Sequence, residues 1–153
     1  MAYDGGYIAA GERGLVLRAE SLEGPWERVG GPDTRSAVYW MDAARDGRFH
    51  ALARSDTQVT FYEASPDLSE WTALHTFAHR GNLLFPGWNE VYAFHDEHQR
   101  IVLVGGGERV VYDPASRSTT PGRSTDFVVL AQQPDGVVVG VPGRPGEARG
   151  GPC

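Results

Sequence analysis

One hundred and fifty-three residues with a net charge of −6 fit one domain or a piece of a larger one, and a chain of this length buries roughly 70% of the surface that its unfolded form exposes. With 41% apolar and 22% charged residues, neither disorder nor a membrane protein is the default expectation, and no apolar run approaches the roughly 20 residues that span a bilayer. The single cysteine, Cys153, excludes an internal disulfide framework and a cysteine-based zinc site.

All 14 basic residues are arginine, yet the balance is acidic. That is the wrong electrostatic footprint for a phosphate-backbone binder, so no nucleic-acid partner is expected, and no membrane partner either. The N-terminal segment MAYDGGYIAAGERG lacks a signal-peptide pattern. A cytoplasmic location is therefore expected of a complete chain, and secretion stays open for a fragment of a longer one.

No long segment keeps an apolar face at i, i+3, i+4 and i+7, so helices are not predicted. The apolar runs are short, rich in Val, Tyr, Phe and Thr, and bounded by Gly, Asp, Pro or Ser, which predicts strands. In chain order they are GLVLR (14–18), AVYWM (37–41), VTFY (59–62), VYAF (91–94), IVLV (101–104) and FVVL (127–130).

These runs repeat. AVYWMDAARDGRFHALA (37–53), VYAFHDEHQRIVLVG (91–105) and FVVLAQQPDGVVVGV (127–141) each read as strand, polar turn, strand. The first two are followed by a third strand ending in serine, TQVTFYEAS (57–65) and ERVVYDPAS (108–116), and GERGLV at 11–16 is nearly copied as GERVVY at 107–112. A unit of about 40–50 residues holding four short antiparallel strands has the size of a propeller blade. The predicted fold is all-β: about three four-stranded blades and a partial one, forming an incomplete ring over residues 1–142. The blade segments are 5–30, 36–79, 89–120 and 125–142, and the Gly/Pro/Arg tail at 143–153 is expected to be disordered.

SPDLSEWTAL (65–74) resembles the Asp-box, or BNR repeat, of sialidase-like propellers, S-x-D-x-G-x-x-W, through Ser65, Asp67 and Trp71. Ser69 stands where the glycine belongs, and the tryptophan comes one residue early. SLEGPWERV (21–29) resembles a turn of five-bladed glycosidases that cleave arabinose-, xylose- or fructose-containing glycans. The local physics of such a box is structural: Ser and Asp side chains tie down nearby backbone N–H groups while the Trp packs across the hairpin.

The resemblance implies a carbohydrate ligand; no cofactor and no metal site are expected. In a propeller, ligand groups come from the loop entering each innermost strand and from the loop between its second and third strands. This nominates Asp33, Thr34 and Arg35; Trp88, Asn89 and Glu90; Arg123, Ser124 and Asp126; and Glu12, Arg13, Arg54, Asp56, Glu108 and Arg109. A glycoside hydrolase needs two carboxyl groups flanking the scissile bond, which would fall to Asp33, Glu90 and Asp126. Sialidase-like chemistry would use Arg35 and Arg123 to hold a carboxylate, with Tyr39 or Tyr92 as nucleophile. Trp88 offers a stacking face for a sugar ring. The plain alternative is that these are the solvated charges and packing groups that any loop contains.

His95-Asp96-Glu97-His98 has metal-ligand chemistry but lies where a hairpin turn is expected, and His50, His75 and His79 are isolated near strand ends. Gly105-Gly106-Gly107 lacks the Gly-Lys-Ser/Thr of a phosphate loop. Two other readings compete with a glycan-recognising propeller of open catalytic status: a non-enzymatic scaffold for protein interaction, and a lectin whose chains self-associate to complete the ring. Three open blades would leave sheet edges available for such pairing.

Overall fold

A strand needs only four to seven residues of suitable side chains and a turn at each end, and the Gly/Asp/Ser punctuation supplies the turns. The structure, a computed structural model, describes residues 1–33, 35–78, 91–105, 108–123, 127–132 and 138–142. Strands β1 (Ala2–Tyr3), β2 (Gly6–Ala10), β3 (Val16–Ala19) and β4 (Glu27–Val29) form a first antiparallel sheet in chain order. Strands β5 (Ala37–Ala43), β6 (Phe49–Arg54), β7 (Gln58–Ala64) and β8 (Trp71–Ala78) form a second. A third contains β9 (Val91–His95), β10 (Ile101–Gly105), β11 (Glu108–Asp113) and β12 (Ser118–Arg123), while β13 (Phe127–Gln132) pairs with β14 (Val138–Pro142).

The architecture is the predicted one: all-β, with three four-stranded up-and-down sheets and a two-stranded partial one, a blade-like repeat. The first sheet is fuller than the sequence suggests. A two-residue β1 precedes the segment that reads as a second strand, with Ala2 opposite Tyr7 and Tyr3 opposite Gly6. Two residues are too few to show alternation. The chain divides into two units, Met1–His79 and Arg80–Cys153.

In the first unit, the pairing register of the second sheet sets its rows. Ala43, Phe49, Ala64 and Trp71 lie side by side across the four strands, as do Met41, Ala51, Tyr62 and Ala73. Phe49, Ala64 and Leu68 pack with Ile8 and Val16 of the first sheet in one buried cluster, and Tyr3 meets Phe49 edge to face at 5.1 Å between ring centroids. The two sheets thus share a core built from residues of β2, β3, β6 and β7 and from Leu68 in the β7–β8 turn. Strand β6 is buried from Phe49 through Ala53, with the polar His50 among these residues.

The connection between these sheets fits closely. Gly14 N–H donates to Ser36 O at 2.8 Å and Val38 N–H to Gly11 O at 3.0 Å. A side chain at Gly30 would run into the Leu68 carbonyl, and one at Gly31 into the Gly14 carbonyl. The Gly-Gly step therefore lets the linker lie directly on both neighbours.

In the second unit, Ile101, Val102, Leu103 and Val104 of β10 are buried together with Val110 and Tyr112 of β11. The repetition extends to hydrogen bonds in the turns. In the β5–β6 turn, Ala44 N–H donates to Arg48 O and Gly47 N–H to Ala44 O; in the β9–β10 turn, Asp96 N–H donates to Arg100 O and Gln99 N–H to Asp96 O. The left-handed position is Gly47 (φ 89°) in one and Gln99 (φ 62°) in the other. A residue with a Cβ pays roughly 1–2 kcal/mol there. Gln99→Gly is therefore expected to stabilise the protein by about 0.5–1 kcal/mol after the extra unfolded-chain entropy of glycine is subtracted. A urea midpoint equal to or below that of the parent would refute it.

The sheet margins are interrupted in several ways. Strand β4 has three residues, β5 is bulged between Val38 and Trp40, and the β7–β8 pairing shifts at Phe61/Tyr62. Strand β12, last in its sheet, carries Pro121 opposite Val110. Bulges, short strands and proline are common devices for blunting edges.

Candidate functional site

Three loops of the first unit gather at one end of the paired sheets. The bonds from Gly14 to Ser36 and from Val38 to Gly11 hold the β2–β3 loop against the entry to β5, and Arg54 lies opposite Ala37 in the β5–β6 register. Glu12, Arg13, Asp33, Arg35, Arg54 and Asp56 are therefore carried by neighbouring backbone segments.

Within this group Asp33 is committed to its own turn. Its Oδ1 accepts the Arg35 N–H at 2.8 Å, and the Arg35 Nε lies 3.8 Å away, with the Arg35 side chain 89% exposed. A pair so open to water contributes little to stability. Arg13 occupies the left-handed region (φ 56°, ψ 34°) in the three-residue 3-10 turn Glu12–Gly14, a conformation that costs roughly 1–2 kcal/mol for a residue with a Cβ.

In the second unit, Glu108 opens β11 opposite Gly105 and is paired in register with Arg123, while Arg109 faces Gly122. Glu108 and Arg109 thus lie within β11 itself, whereas Glu12 and Arg13 of the similar segment lie in the turn before β3. Tyr92 sits on β9 opposite Val104, and burial pushes its phenol above the usual range, so it is not poised as a phenolate at neutral pH. Thr34, Trp88, Asn89, Glu90, Ser124, Asp126, Gly106, Gly107, His79 and the tail at 143–153 lie outside the described residues. Of the three nominated carboxylates, Asp33 alone falls within them.

The Ser65–Trp71 turn shows what its residues do. Ser65 Oγ donates to Asp67 Oδ1 at 2.6 Å and accepts the Glu70 N–H at 3.0 Å. Asp67 Oδ1 also accepts the Ser69 N–H and hydroxyl, at 3.1 and 2.7 Å. The Ser65 and Ser69 hydroxyls and the Ser69 N–H hold the Asp67 carboxyl down to about 2. Leu68, fully buried, takes the left-handed conformation at φ 62°. Trp71 Nε1 then donates to both Leu68 O and Gly30 O at 3.0 Å, tying this hairpin to the other sheet.

Asp67 has a depressed pKa in the folded chain, so its contribution to stability is complete above the ordinary carboxylate range. It should fade as pH falls from about 4 towards 2. Asp67→Asn is expected to flatten that part of the stability–pH curve, read as urea midpoints across the range; a curve of unchanged slope would contradict the assignment.

Sequence reasoning missed a buried polar group. His50 and Glu63 face each other in register between β6 and β7, with Asp42 flanking His50 from β5. His50 is 1% exposed and Glu63 5%. Glu63 accepts from Arg48 Nη1 at 3.0 Å through Oε1, and its Oε2 lies 3.1 Å from His50 Nε2. Burial holds the His50 imidazole below its usual pKa, against the opposing pull of the Glu63 hydrogen bond and of the Glu63, Asp42 and Asp46 charges. A neutral His50 then donates its Nε2 proton to Glu63, and the imidazole lies nearly parallel to Phe61 at 16° and 5.7 Å. The signal was present in the sequence as two polar residues, His50 and Glu63, interrupting adjacent apolar strands.

The His95–His98 segment forms the predicted turn. Asp96 takes the His98 and Arg100 N–H groups on Oδ1 and the Arg100 Nε on Oδ2. Burial pushes its pKa up, but these bonds and the Arg100 charge outweigh it and leave the carboxyl below the usual range. Among the described residues no cluster of three or more His, Cys, Asp or Glu side chains is placed to hold a metal ion, and no helix is long and apolar enough to cross a membrane. No protein-family model matches the chain, and no curated protein matches it significantly.

Proposed function

We propose that the chain is a propeller-type scaffold of the Asp-box kind that recognises glycans through its loop end without turning them over. The supporting observation is the Ser65–Trp71 turn. Its Ser and Asp side chains bind local backbone and its Trp packs across the hairpin, which supports the Asp-box reading with Ser69 in place of glycine. The ligand part of the reading rests on the charged loops around Asp33, Arg35, Arg13 and Arg54, where guanidiniums can bind carboxylate or hydroxyl groups of a sugar.

The part of the reading without turnover is supported by the engagement of Asp33 Oδ1 with its own turn, because glycoside hydrolysis needs two carboxyl groups flanking the scissile bond. The test is NMR titration with a panel of neutral and uronate-containing oligosaccharides, alongside assay of aryl glycosides. Binding that weakens at least tenfold in the Arg13→Ala/Arg35→Ala double variant, with no aryl glycoside cleaved, is the expected result. Turnover abolished by Asp33→Asn would replace this reading with a glycosidase, and no binding across the panel would leave the protein-interaction scaffold.

A further inference from the structure

We draw no further inference here: the strongest candidate, the shallow recess between β2 and β5 lined by Met1, Ile8, Ala10, Val38, Tyr39, Trp40 and Met41, carries nothing because the structure does not show what covers it.

Discussion

Glu63→Ala is expected to lower the free energy of unfolding by about 3 kcal/mol. A carboxylate this deeply buried is tolerated because Arg48 and His50 each engage one of its oxygens. Removing it deprives the buried His50 Nε2 of its acceptor, costing roughly 1–3 kcal/mol, and leaves a void between β6 and β7. Arg48, with about a third of its side chain exposed, can turn towards water, so the loss falls at the low end of the range for breaking a buried ion pair. Glu63→Gln keeps the volume and one acceptor and should cost less than half as much. Equal urea midpoints for Glu63→Ala and the parent would show that the network adds nothing to stability.

The same network gives a pH dependence of defined sign. The His50 pKa is depressed on folding, so below the ordinary imidazole pKa of about 6.5 the unfolded chain takes up a proton that the folded chain resists. Stability is complete above that value and declines as pH falls through it towards the folded pKa. His50→Asn should remove this part of the slope and leave the acid limb due to Asp67.

Trp71→Ala is the second large effect. The side chain packs against the Phe49–Leu68 cluster and against the buried Val38, Ala51 and Ala53, meets Tyr62 edge to face at 6.1 Å, and donates to two carbonyls. Full burial would set the cost at roughly 3–5 kcal/mol. Half-burial lowers the packing part and the lost hydrogen bonds restore some of it, giving about 3 kcal/mol. For a chain of this length that corresponds to a fall in Tm of roughly 6–12 °C. Trp71→Phe, which keeps a ring but no N–H, should fall between the parent and the alanine variant. A melting temperature unchanged by Trp71→Ala would mean that the ring does not join the two sheets.

The repeat was legible because it depends on local chemistry. Gly, Asp and Ser between short β-branched and aromatic runs specify hairpins wherever they recur, and the equivalent turns at Ala44–Arg48 and Asp96–Arg100 show the result. What stayed hidden depends on register. His50 and Glu63 are 13 residues apart, and no local pattern announces that they sit opposite each other. The bulge at Tyr39 changes which side chains of β5 share a face, so alternation counted along AVYWM goes out of phase. The charged loop residues were visible as loop residues, but the capture of the Arg35 N–H by Asp33 is a turn property that strand counting does not reveal.

Pro121 has a consequence for growth. It lies on the last strand of its sheet, and proline is accommodated on such a strand with its nitrogen turned outward. An incoming chain that tried to lengthen the ladder there would meet a rung with no proton to offer. Fibre-like addition should stall at that rung, and a second copy would have to join at some other margin.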